Sequence, residues 1–137
     1  SKEDVSVYDC AIKTAKLIGP SLWQWLKSSP QNVSRSANRL GLVDGSTAKE
    51  VLAGLLQKNW ESENGRWPGA NPTDDPEAFF RQLNKYQRLD HGYSLLSLPT
   101  ADQMVNAILN GKSYCYRLMN GYCCPPESVL PPIYKES

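Results

Sequence analysis

The sequence predicts a mainly α fold, a single compact domain of about five or six short helices with a small C-terminal β-hairpin and an extended proline-rich tail. Apolar residues recur at every third or fourth position in several stretches, and helix-capping residues precede some of them. A chain of 137 residues is of the length that folds around a single hydrophobic core. We therefore expect residues 1–124 to form the globular domain, with the hairpin near 113–124, and residues 125–137 to form the tail.

The first part of the chain is predicted to contain two helices separated by a break. The first helix is predicted from apolar residues that recur at helical spacing: Tyr8, Ala11, Ile12, Ala15 and Ile18. Gly19-Pro20 is expected to end this helix, and a second is expected from Ser21 to about Lys27. Another short helix is predicted from Ser34 to Leu40, closed by Gly41.

The middle of the chain predicts two further helices joined by a long loop. Thr47 and Glu50 form a capping box that opens the first of them. Residues 61–75 read as an ordered surface loop pinned by Trp67. Asp75 and the proline that follows it are typical of a helix start, and apolar spacing continues that helix to about Leu89.

The C-terminal part predicts one more helix and the hairpin. After a short extended piece at 93–98, Thr100 and Gln103 form a second capping box, and Gly111 ends the helix. Alternating apolar residues then lead to Asn120-Gly121, the pair favoured in tight hairpin turns. Two proline pairs within 125–132 indicate an extended tail.

Charge and motif content argue against several classes of function. The 15 basic and 14 acidic residues are interspersed and give a formal net charge of +1, so we expect no nucleic-acid partner. No apolar run approaches the roughly 20 residues of a membrane span. The chain has no glycine-rich phosphate-binding loop, and no cofactor is predicted.

The four cysteines leave several uses open. They are Cys10, Cys115, Cys123 and Cys124. A disulfide across the hairpin, a disulfide from Cys10 to one of the other three, and buried free thiols are all compatible with this count. No metal site is predicted, because the usual two-residue spacing between paired zinc-ligating cysteines is absent.

One pair of residues suggests an enzyme. Cys10 lies near the start of a predicted helix, where a thiol pKa can be lowered, and His91 is the only histidine of the chain. An early helical cysteine followed by a later histidine resembles the chain order of papain-like peptidases. The resemblance implies a small cysteine hydrolase with a Cys10/His91 dyad, acting on an amide or thioester bond.

Aromatic residues suggest the leading functional hypothesis, a non-enzymatic module that binds another protein through exposed aromatics and the C-terminal tail. The predicted binding residues are Trp67, Tyr93, Tyr114, Tyr116 and Tyr122. The alternative for the four tryptophans is that they fill the core between the helices. Solvent exposure of Trp67 distinguishes the two interpretations.

Overall fold

The computed structural model describes residues 7–84 and 96–114, and within these ranges the fold is mainly α, as predicted. No strand occurs in this part of the chain. Its five helices are α1 (Val7–Ser28), α2 (Pro30–Leu40), α3 (Ala48–Asn64), α4 (Pro76–Asn84) and α5 (Leu98–Leu109). The tail and, apart from Ser113 and Tyr114, the predicted hairpin lie outside the described residues. None of the five helices is long and apolar enough to cross a membrane.

Helix α1 runs without a break through Gly19-Pro20, so the predicted division into two helices is wrong. Proline lacks an N–H and its ring crowds the preceding residue, which usually excludes the helical conformation there. Here the preceding residue is Gly19, whose missing Cβ removes part of that clash. Buried apolar side chains also continue at helical spacing from Ile18 to Leu22 and Trp25, and their burial favours one continuous helix.

Capping residues set the starts of α2 and α3. Ser29 accepts a hydrogen bond from the backbone N–H of Gln31, so α2 begins four residues before the predicted Ser34. The predicted capping box at α3 is confirmed. The Thr47 hydroxyl accepts from the Glu50 N–H at 3.2 Å, and the Glu50 carboxylate accepts from the Thr47 N–H at 3.2 Å.

The start of α4 is confirmed and the start of α5 differs from the prediction. Asp75 accepts a hydrogen bond from the Ala78 N–H at 3.1 Å and so caps α4. Helix α5 is capped by Ser97, whose hydroxyl accepts from the Thr100 N–H, and not by Thr100. A proline in the first turn, Pro99, suits this earlier start because its missing N–H would have no helical partner there.

Helix α3 is the centre of the domain and contacts each of the other four helices. Its buried side chains include Val51, Leu52, Leu55 and Leu56. Gly54 lies on the face that α2 approaches, where an added Cβ would come within 3.0 Å of the Leu40 side chain. Glycine lowers helix propensity, and here it permits this close packing.

Three aromatic rings anchor the loop between α3 and α4. The Trp67 ring packs edge-on against Trp60 at a centroid distance of 6.2 Å and against Phe79 at 5.6 Å. All three side chains are buried. The prediction that Trp67 pins this loop is therefore confirmed.

Asp102 joins α5 to the first two helices. Its carboxylate accepts hydrogen bonds at 3.2 Å from the Trp25 indole N–H, from the Arg35 guanidinium and from the Asn106 amide. The Arg35 guanidinium also lies over the Trp25 ring, 5.4 Å from its centroid. One carboxylate thus satisfies donors from α1, α2 and its own helix.

We expect Asp102→Ala to lower the free energy of unfolding by about 1 kcal/mol, because it leaves the buried Trp25 indole without its acceptor. The effect stays modest because the Asp102 side chain is 45% exposed, which weakens its pairing with Arg35. Urea unfolding measures the change. The control is Asp74→Ala at an exposed loop residue, and an equal loss in both variants would contradict a specific role for Asp102.

Candidate functional site

The structure places two of the predicted binding residues in the core. Trp67 is 1% exposed and Tyr114 is 5% exposed. The prediction of an exposed aromatic anchor is therefore wrong at these two positions, because their rings are enclosed by the domain's own packing. Tyr93, Tyr116 and Tyr122 lie outside the described residues, and their role stays a prediction.

The backbone of Tyr114 is held by a buried side-chain amide of α3. The Asn59 side chain is 3% exposed, donates to the Tyr114 carbonyl at 2.9 Å and accepts from the Tyr114 N–H at 2.5 Å. The neighbouring Ser113 hydroxyl donates to the Glu63 carboxylate at 3.0 Å. Burial also raises the pKa of the Tyr114 phenol. The chain that leaves α5 is thus fixed to the C-terminal half of α3.

Neither half of the predicted dyad is supported as a catalytic group by the described geometry. Cys10, in the first turns of α1, is disulfide-bonded, and a sulfur in a disulfide is not a thiolate nucleophile. His91 lies outside the described residues, so the structure defines no distance between the Cys10 sulfur and the His91 imidazole. The Cys10/His91 hydrolase remains a prediction from the sequence.

The partly exposed aromatic surface of the described residues lies on α1 and α4. Trp23 and Phe80 are both half-buried, and their rings meet edge to face with centroids 5.1 Å apart at 66°. The Lys27 ammonium nitrogen lies 5.2 Å from the Trp23 ring centroid, and that of Lys49 lies 5.3 Å from the Phe80 ring centroid. We call Trp23, Phe80, Lys27 and Lys49 together the Trp23–Phe80 surface.

The charges of the Trp23–Phe80 surface are open to solvent. Lys27 is exposed at the last turn of α1. Lys49 pairs with Glu77 at 3.3 Å, and the two side chains are 40% and 65% exposed. An exposed pair of this kind contributes little to stability, so the carboxylate of another molecule can replace Glu77 at small cost. The surface combines apolar ring area with two cations.

Sequence reasoning missed this site although part of its signal is visible. Trp23 and Lys27 are four residues apart and share one helix face. Trp23 also follows the core residue Leu22 directly, so a helix of that register turns the Trp23 ring about 100° away from the centre of the apolar stripe. The contact with Phe80 is set by tertiary packing and has no local signal.

A second concavity lies between α3 and the loops beside it, with a volume of about 510 Å³. Leu40, Leu42 and Gly54 form its apolar part. On its polar side, the Gln57 amide donates to Glu61 at 2.7 Å and Gln57 accepts from the Thr73 hydroxyl at 3.1 Å. These polar groups already bind one another, which makes the groove a weaker candidate for ligand recognition.

Within residues 7–84 and 96–114, no group of three or more potential metal-ligating side chains occurs. Comparison with protein-family models, with curated proteins and with solved structures found no significant match for this chain.

Proposed function

We propose that this domain is a non-enzymatic module that binds another protein, and that the Trp23–Phe80 surface is where the partner docks. The observation that carries the proposal is a pair of half-buried aromatic rings flanked by two lysines, all four residues lying on helices. Tryptophan is enriched among the residues that dominate the binding energy of protein interfaces. The proline-rich tail at 125–137 is proposed as a second contact.

The chemistry of this surface favours an acidic partner segment with an apolar side chain at its centre. The apolar group would cover the ring edges that remain open at Trp23 and Phe80. Aspartates or glutamates beside it would meet Lys27 and replace Glu77 at Lys49. Such complementary charges raise the association rate and select against basic partners.

The other three tryptophans support the choice of Trp23. Trp25, Trp60 and Trp67 are buried in the core. Each of the three can contact a partner only if the domain opens. Trp23 is available in the folded state.

The proposal is tested with two unlabelled synthetic peptides, one with a leucine pair flanked by aspartates and one with the same pair flanked by lysines. The readout is the indole N–H signal of Trp23 in the spectrum of the ¹⁵N-labelled protein, with the other three indoles as internal references. We expect the acidic peptide to shift the Trp23 signal selectively. We expect Lys27→Glu to weaken this binding about tenfold, equivalent to about 1.4 kcal/mol.

The matched control is Lys112→Glu, which reverses the charge of an exposed lysine after α5 and should leave the affinity unchanged. Equal binding of both peptides would overturn the acidic-partner proposal. An unshifted Trp23 signal with both peptides would overturn the assignment of the surface. Removal of residues 128–137 tests the tail, which should also lower the affinity if it makes a second contact.

A further inference from the structure

The relative direction of α1 and α3 places Cys10 at the end of the helix pair where α3 anchors Ser113 and Tyr114. A Cβ added at Gly19 would lie 3.8 Å from the Leu56 side chain, so these two helices cross there. Near the start of α1, the Tyr8 ring lies 3.2 Å from a Cβ built on Gly69, which follows the end of α3. The two helices therefore run antiparallel.

Helix geometry then places Cys10 and the Asn59–Glu63 region at the same end of this pair. Cys10 lies about 13 Å from Gly19 along α1, at a rise of about 1.5 Å per residue. Glu63 lies about 10 Å from Leu56 along α3, in the same direction. Since Glu63 and Asn59 hold Ser113 and Tyr114, these two residues lie at this end of the domain.

Cys10 is disulfide-bonded, and the other cysteines of the chain are Cys115, Cys123 and Cys124. Cys115 follows the anchored Tyr114 directly in the sequence. Cys123 and Cys124 are separated from the anchor by a further stretch of chain. A disulfide needs Cα atoms about 4.4–6.8 Å apart, which favours the cysteine that is nearest in sequence to the anchored Tyr114.

We propose that Cys10 and Cys115 form a structural disulfide that joins the first helix to the chain after α5. A low-molecular-weight disulfide is the oxidant. One protein thiolate attacks it, forming a mixed disulfide and releasing one small thiol. The second protein thiolate then displaces the other small thiol. The two protein thiols lose two electrons and two protons, the oxidant becomes two thiols, and the domain belongs to an oxidising environment.

Trypsin separates Cys10 and Cys115 from each other and from the other two cysteines, which makes the proposed pairing directly measurable. Cleavage after Lys2, Lys13, Lys112 and Arg117 places Cys10 in peptide 3–13 and Cys115 in peptide 113–117. Cys123 and Cys124 both fall in peptide 118–135. The protein is refolded with oxidised glutathione, alkylated with iodoacetamide without reduction, digested and analysed by mass spectrometry. We expect peptide 3–13 linked to peptide 113–117, and the link to persist in the Cys123→Ser/Cys124→Ser double variant.

Recovery of peptide 3–13 in alkylated form, or linked to peptide 118–135, would overturn the proposed pairing. A stability readout adds an independent check. Reduction should lower the melting temperature of the wild type by roughly 5–15 °C and leave that of Cys115→Ser unchanged. An unchanged melting temperature of the wild type on reduction would contradict a structural role for the bond.

Discussion

Trp67→Ala is expected to lower the free energy of unfolding by about 3–5 kcal/mol, a large part of the roughly 5–15 kcal/mol that stabilises a typical domain. The indole is 1% exposed and packs edge-on against Trp60 and Phe79. Its removal leaves a cavity between α3 and α4, and the loop between them loses its anchor. Urea unfolding followed by far-ultraviolet circular dichroism measures the loss without depending on tryptophan fluorescence.

The matched comparison is Trp23→Ala, which deletes the same side chain at a half-buried position. We expect Trp23→Ala to lower the free energy of unfolding by less than half as much as Trp67→Ala, because the Trp23 ring already contacts water and its removal leaves no enclosed cavity. Trp67→Phe should recover part of the loss at Trp67, since it restores some of the ring contact. Equal destabilisation by Trp23→Ala and Trp67→Ala would contradict the distinction between a docking ring and a core ring.

This difference also shows why the sequence predicted the helices better than the aromatic surface. Trp67 lies in a loop without periodicity, so nothing local distinguishes a ring that is folded inward from one that faces solvent. The polar, glycine and proline neighbours of Trp67 indicated a surface loop, whereas the contacts that bury the Trp67 ring come from α3 and α4. Burial of a loop residue is decided by tertiary packing, which composition does not encode.

Two helix starts, those of α3 and α4, were predicted correctly from a local capping hydrogen bond. The Thr47 and Glu50 capping box and the Asp75 cap each need only a few consecutive residues, and both are confirmed. The continuation of α1 through Pro20 was not predictable in the same way. Its local cost is outweighed by the burial of side chains on both sides of it, a nonlocal gain that a proline rule omits.

Asn59→Ala is expected to lower the free energy of unfolding by about 2–4 kcal/mol, although it removes only one small polar side chain. The change leaves the buried N–H and carbonyl of Tyr114 without partners, and each unsatisfied group costs about 1–3 kcal/mol. Asn59→Asp should keep the bond from the Tyr114 N–H and lose the one to the carbonyl. Hydrogen exchange at the Tyr114 amide should be faster in the alanine variant. Urea unfolding measures the change in the free energy of unfolding.

The control is Asn64→Ala, at an exposed residue whose amide donates only to the Trp60 carbonyl one turn earlier in the same helix. Its loss should stay within about 0.5 kcal/mol, as is usual for surface substitutions. Equal losses at Asn59 and Asn64 would contradict the anchoring role of the buried amide.

The Asn59 anchor and the proposed Cys10–Cys115 bond restrain the same segment, so their effects should not add. With the disulfide intact, the covalent bond keeps the segment near α1 even when Asn59 is replaced. In the Cys115→Ser background, Asn59 is the principal constraint left on Tyr114, and Asn59→Ala should accelerate exchange at the Tyr114 amide more strongly. Adjacent sites with a shared constraint typically couple by about 0.5–3 kcal/mol. Additive effects of the two substitutions would show that the amide and the disulfide act on the fold independently.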